Sequence, residues 1–141
     1  RRLGGISHSV IEEPDAIHDF INTELRREWE EDVRSEGRDP KQDSWLKALP
    51  YRRWVLVQMN TDQIKLDPQI MNLSDADRGY VFTESLCKRS QELKETIEKF
   101  ASVIWPVIVK KEDSMLVDGY CRFTTLKALH ALRTYAYIGS L

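Results

Sequence analysis

Apolar positions along the chain recur at two periods, and the changes between them mark the elements. After Pro14 and Asp15, residues Ile17, Phe20, Ile21, Leu25 and Trp29 fall three and four apart, predicting a helix with proline in its first turn. The opposite face carries Glu24, Arg26, Arg27, Glu28, Glu30, Glu31 and Asp32, an ordinary solvated surface of interleaved charge. Gly37 and Pro40 punctuate its end. Gln42 to Leu49 reads as a short amphipathic piece anchored by Trp45, Leu46 and Leu49 and stopped by Pro50. Val55 to Met59 predicts a strand and Asn60-Thr61-Asp62 a turn, after which Ile64 and Leu66 alternate with polar residues as a strand would. A second helix is expected from Thr83 to Ala101, with Leu86, Ser90, Leu93, Ile97 and Phe100 on one stripe.

The stretch from Trp105 to Phe123 organises the rest. Val107–Val109 and Met115–Val117 are apolar runs separated by the polar segment Lys110–Ser114, the pattern of a hairpin. Beyond Gly119 the period becomes helical, with Phe123, Leu126, Leu129 and Leu132 three apart, so a helix is expected over Arg122–Leu132. A last strand follows at Tyr135–Ile138. These elements predict an α/β (α+β) fold, a small mixed sheet with packed helices. Residues 1–50 read as an N-terminal arm and helical extension, and 51–141 as the α/β domain proper. Within the arm, residues 1–12 with Gly4-Gly5 read as mobile, and His8 as a solvated loop histidine.

Composition narrows the class. The chain has 141 residues, enough for one domain with a core of ordinary size. A net charge of −2 gives no bulk basic character for non-specific nucleic-acid binding. Cys87 and Cys121 lie in different elements without metal-like spacing, which fits a reduced, cytoplasmic protein, and Cys87 reads as a small packing residue. No apolar run approaches the roughly 20 residues that span a bilayer, so no membrane partner is expected. The start at Arg1 rather than Met reads as an excised piece, with a further domain expected to follow. Tyr51-Arg52-Arg53-Trp54 could stack bases, but reads better as a strand edge whose arginine stems cover packed aromatics. His18 among glutamates lacks a second ligand pair at matching spacing, so no metal site is expected.

The chemistry concentrates at the Asp118-Gly119 break. A strand that turns at glycine into a helix presents several backbone N–H groups and the positive end of a helix dipole, a site for an anion such as phosphate. Gly119, Tyr120 and Cys121 would offer backbone N–H groups, Arg122 a charged fork, and Thr124 or Thr125 a hydroxyl. Asp118 could orient Arg122, cap the helix, or hold a metal or a substrate hydroxyl. The segment from Asp67 to Tyr80 reads as a long loop, either an acidic surface loop or a functional one, in which Asp67, Asp75 and Asp77 are candidates for a catalytic base or a Mg²⁺ contact.

These residues carry a resemblance. Trp105-Pro106-Val107-Ile108-Val109, then Val117-Asp118-Gly119-Tyr120-Cys121-Arg122 and the following helix, resemble the central box of the ParB/sulfiredoxin-like superfamily. The likeness implies a compact α/β domain over 51–141 whose Gly-x-x-Arg turn meets nucleotide phosphates. The place of the Asp67 to Tyr80 segment after the first strand, where the family has substrate contacts, implies a lid over the Gly119 turn. In the sulfiredoxin branch a nucleophilic cysteine occupies the position of Tyr120, so that chemistry is not expected. The partition branch, which binds CTP, shares only Gly119 and Arg122. The box is closest to the free-serine-kinase-like branch, although the segment Leu66-Asp67-Pro68-Gln69-Ile70 lacks the glutamate which that branch places after its first strand.

Two functions follow as expectations. In the first the domain binds ATP or ADP with Mg²⁺ and transfers phosphate to a small-molecule acceptor, with Asp118 and Asp67 as the catalytic candidates. In the second it is a non-enzymatic module gated by a nucleotide such as CTP. It would then meet DNA or a protein partner through regions outside this chain.

Overall fold

The computed structural model describes residues 1–36, 44–68 and 79–141, with side chains described except at 36 and 79–87. A two-residue hairpin, β1 (Arg2–Leu3) and β2 (Ile6–Ser7), precedes α1 (Pro14–Phe20), which continues through a π-helical turn (Ile21–Leu25) into α2 (Arg26–Glu36). Then come α3 (Ser44–Ala48), β3 (Arg53–Asn60), α4 (Gly79–Phe100), β4 (Val107–Lys110), β5 (Leu116–Asp118), α5 (Tyr120–Ala128) and β6 (Arg133–Ser140). The sheet runs β3-β6-β4-β5, with β3–β6 and β4–β5 antiparallel and β4–β6 parallel. This is the mixed α/β architecture expected from the sequence.

Alternation sends each strand's side chains to two faces. On one face Trp54, Ile108, Val117 and Tyr137 pack against Ile17, Ile21, Trp29, Val33 and Trp45 in a single buried cluster. The N-terminal helices are therefore a layer on the sheet, sharing its core. On the other face Met59, Val107, Val109, Leu116 and Ala136 meet Phe123 of α5. Helices α4 and α5 pack on each other, where the Thr125 and Ser90 hydroxyls lie 3.2 Å apart. Trp54 lies across Gly139 on the adjacent strand, so close that a Cβ on Gly139 would sit 2.5 Å from the indole.

The π turn explains how one long helix keeps its apolar face on the sheet. At 3.6 residues per turn, the sixteen positions from Ile17 to Val33 would leave the two roughly 160° apart. A wider turn in between takes back part of that lead, and both side chains are buried, at 0% and 9% exposure.

Several expectations are corrected. His8 is 2% exposed, because the first residues form a hairpin whose exit is bonded to the α4–β4 link. Ile64 to Leu66 does not form a strand; only Lys65 makes an isolated bridge, to Met115. Helix α4 begins at Gly79, four residues ahead of the expected Thr83, and Phe100 at its end is 76% exposed. Helix α5 spans Tyr120–Ala128 rather than running to Leu132, since His130 takes a positive φ of 57° and Leu132 is 77% exposed. Lys110, assigned to the polar loop, is 1% exposed and paired with Asp113 at 3.2 Å. In agreement with the strand-edge reading, Tyr51 and Trp54 are buried while Arg52 and Arg53 are exposed. The lid of residues 67–80 and its Asp75 and Asp77 lie mostly outside the described residues, as does the Cys87 side chain.

Candidate functional site

The turn between β5 and α5 forms because Gly119 adopts φ 101° and ψ 30°, a left-handed conformation open to glycine. Its N–H donates to Asp118 Oδ1 at 2.8 Å, so Asp118 fastens the turn, while Gly119 itself stands at the N-cap of α5 without a side-chain capping bond. The first bond inside the helix runs from the Phe123 N–H to the Gly119 carbonyl at 2.8 Å. The N–H groups of Tyr120, Cys121 and Arg122 thus precede the helical ladder, at the positive end of α5.

Arg122 folds back over this turn. Its Nη1 donates to the Pro106 carbonyl at 2.7 Å, and its Nη2 lies 2.9 Å from where a Cβ on Gly119 would stand. The glycine is therefore needed twice, for its backbone angle and for the space the guanidinium occupies. The tie joins the start of α5 to the entry of β4, so Arg122 positions the turn as well as charging it.

Asp67 is brought beside the turn, though by its backbone. Its N–H donates to the Tyr120 hydroxyl at 3.1 Å, and that hydroxyl donates to the Leu116 carbonyl at 3.2 Å. The Asp67 carboxylate is 5% exposed and accepts from the Ser44 hydroxyl at the start of α3. Both candidate carboxylates are thereby engaged within the fold. Cys121 is half-buried, and burial pushes its thiol pKa up, with the charges of Arg89 and Arg122 acting in the opposite direction. A thiol so placed stays protonated at neutral pH and is a poor nucleophile.

The two threonines part company. Thr124 is half-buried on the first turn and donates to the Tyr120 carbonyl at 2.8 Å. Thr125 is fully buried, donating to the Cys121 carbonyl at 2.8 Å and facing Ser90 of α4, so it belongs to the helix contact and not to a ligand. Arg89, read from sequence as one charge on a solvated face, is carried near the turn by the packing of α4 on α5. Its i to i+4 neighbours give no hint of that, because the contact joins distant parts of the chain. Ser44, which holds Asp67, was equally silent.

Among the described residues no group of three His, Cys, Asp or Glu side chains could hold a metal ion, and no helix is long and apolar enough to cross a membrane.

The chain matches no known protein-family profile and no curated protein. Two solved structures are similar to part of it. One, a pNOB8-like ParB-N domain, has a TM-score of 0.45 and 15% identity, covering 62% of this chain and 30% of that one. The other, a pNOB8-like ParB N-domain, has a TM-score of 0.43 and 19% identity, covering 62% of this chain and 28% of that one. The chain thus spans less than a third of the length of either structure.

Proposed function

We propose that this chain is a nucleotide-binding domain that works by binding, with phosphate held at the N-terminus of α5. The observation that carries this reading is the left-handed Gly119, which opens α5 directly at the end of β5 with Arg122 folded over the turn. Backbone N–H groups of Tyr120, Cys121 and Arg122 supply the donors, and the guanidinium supplies charge. Thr124 is the hydroxyl of that first turn. These groups suit the phosphates of ATP, ADP or CTP, and Mg²⁺ would arrive with the nucleotide. Binding is favoured over turnover because Asp118 and Asp67 accept hydrogen bonds inside the fold. In this reading, occupancy of the turn changes how the domain meets a DNA or protein partner.

A phosphotransferase is the second reading, supported by the bond from the Asp67 N–H to the Tyr120 hydroxyl, which sets an aspartate beside the turn. It requires the Asp67 carboxylate to leave Ser44 for an acceptor hydroxyl.

A thermal-shift panel of ATP, ADP, CTP and GTP with Mg²⁺ tests the proposal, on wild type and Arg122→Ala. Each protein is compared with itself without nucleotide, because the variant also loses the Pro106 tie. One nucleotide at a hundred times its Kd should add about 2.7 kcal/mol to the wild type and far less to the variant. No shift with any nucleotide would sink the phosphate site. Phosphate transfer to a small hydroxyl acceptor, lost in Asp67→Asn, would replace the binding reading with the enzymatic one.

A further inference from the structure

The N-terminal hairpin is fastened at a histidine whose ring has nowhere to put a second proton. The backbone around His8 is bonded on both sides. Its N–H donates to the Arg1 carbonyl at 2.6 Å, the Ser9 N–H to the Ile104 carbonyl at 2.9 Å, and the Ile104 N–H to the Ser7 carbonyl at 3.0 Å. The ring is 2% exposed and meets Tyr135 edge-on, with centroids 5.1 Å apart. Nδ1 lies 3.2 Å from the Ile6 carbonyl, a contact that fits the tautomer with its proton on Nδ1. Nε2 is buried and has no hydrogen-bond partner among the described residues. Protonation there would create a buried charge and an N–H with no acceptor, both unfavourable.

The surroundings do not offset such a charge. The Arg1 backbone nitrogen donates to the His8 carbonyl at 2.8 Å, and the Arg1 guanidinium, paired with Glu12, lies over the Tyr135 ring at 6.0 Å. From the α4–β4 link comes Ile104, which is apolar, and from β6 comes the Tyr135 hydroxyl, which accepts from Gln58 at 3.4 Å. Glu98 of α4, His130 of the α5–β6 turn and Arg133 of β6 line a separate cavity of about 570 Å³ with the hairpin residues Leu3 to Ile6. Ile6 itself packs with Ile104 and Leu126 in a buried cluster between the hairpin and α5.

We propose that His8 is a pH-sensitive latch, holding the β1–β2 hairpin on the α4–β4 link when neutral and releasing it when protonated. Release uncovers the apolar surface of Ile104 and Leu126, the latter on the helix that carries the Gly119 turn. The direction follows from proton linkage. Burial lowers the His8 pKa from its ordinary value, opposed by the bond to Ile6. The docked hairpin is therefore fully stabilised above about pH 6.5 and weakens as pH falls below it, until the docked form itself takes up the proton.

Amide hydrogen exchange at Ser9 and Ile104 tests this, with rates normalised to the intrinsic rate at pH 7.5 and 5.5. In the wild type, protection at both amides should fall by up to about tenfold at the lower pH, while the β3–β6 ladder keeps its protection. In His8→Phe the protection should not depend on pH. Equal protection of the wild type at both values, or the same fall in His8→Phe, would overturn the latch. A second measurement needs no variant. An NMR titration of the His8 ring should give a midpoint below the ordinary histidine value, and one at or above it rejects the proposal.

Discussion

Gly119 combines two demands that can be separated by substitution. At φ 101° any side chain is strained, and here a Cβ would also meet Arg122 Nη2 and Val107 Cγ1, each at 2.9 Å. Gly4 has a positive φ of 59° with nothing within 4 Å of its would-be Cβ, so it isolates the backbone part. Gly119→Ala should cost about 1–3 kcal/mol and more than Gly4→Ala, measured by urea denaturation. Equal costs would show that the guanidinium moves aside freely. The turn itself was legible from Asp118-Gly119, because only the local chain is needed to specify it. The tie from Arg122 to Pro106 and the bond from Ser44 to Asp67 were not, since each joins residues sixteen or more positions apart. His8 was misread for the same reason: a short Gly-rich arm looks solvated until Ile104 and Tyr135 are seen to cover it.

At the scale of elements, the helix from Pro14 to Glu36 carries one residue more than an unbroken α-helix needs to face the sheet at both ends. Thr23 sits in the π turn, exposed, with its hydroxyl on the Asp19 carbonyl at 2.6 Å. Deleting Thr23 should convert the turn to regular α-helix while leaving Trp29 and Val33 inward, with stability kept within about 1 kcal/mol. Inserting an alanine after Thr23 should instead rotate α2 by a further 100° or so and lift both side chains from the core. Denaturation midpoints of the two variants decide, and equal loss in both would contradict the account. Apolar spacing marked this helix correctly, but spacings of three and four fit α and π turns alike, so the irregularity was invisible. The overlong reading of α5 has a different cause: Leu129 and Leu132 kept the helical period, yet the chain turns at His130 to enter β6.

For the whole molecule, the division at residue 50 separates segments that share a core. Trp54, Ile108, Val117 and Tyr137 are buried against Ile17, Ile21, Trp29 and Trp45, so the N-terminal layer packs on one face of the sheet. A fragment of residues 51–141 should lack a cooperative thermal transition and bind a hydrophobic dye, whereas residues 1–141 should melt cooperatively. A sharp transition in the fragment would restore the N-terminal segment to the status of an appendage. Fold class was legible because period changes are strong in this chain. For the N-terminal helices the sequence left two alternatives, an added layer or a partner-facing arm, because nothing in an amphipathic helix names the surface it will cover; the shared core decides for the layer. The sheet's order has one further consequence, in the time domain. All eight residues of β3 pair with β6, from Arg53 with Ser140 to Asn60 with Arg133, and β6 also supplies the parallel neighbour of β4. During synthesis, therefore, Trp54 and its strand leave the ribosome long before any ladder partner exists. The sheet closes only once residue 140 has emerged, and the slow, long-range step of folding comes last.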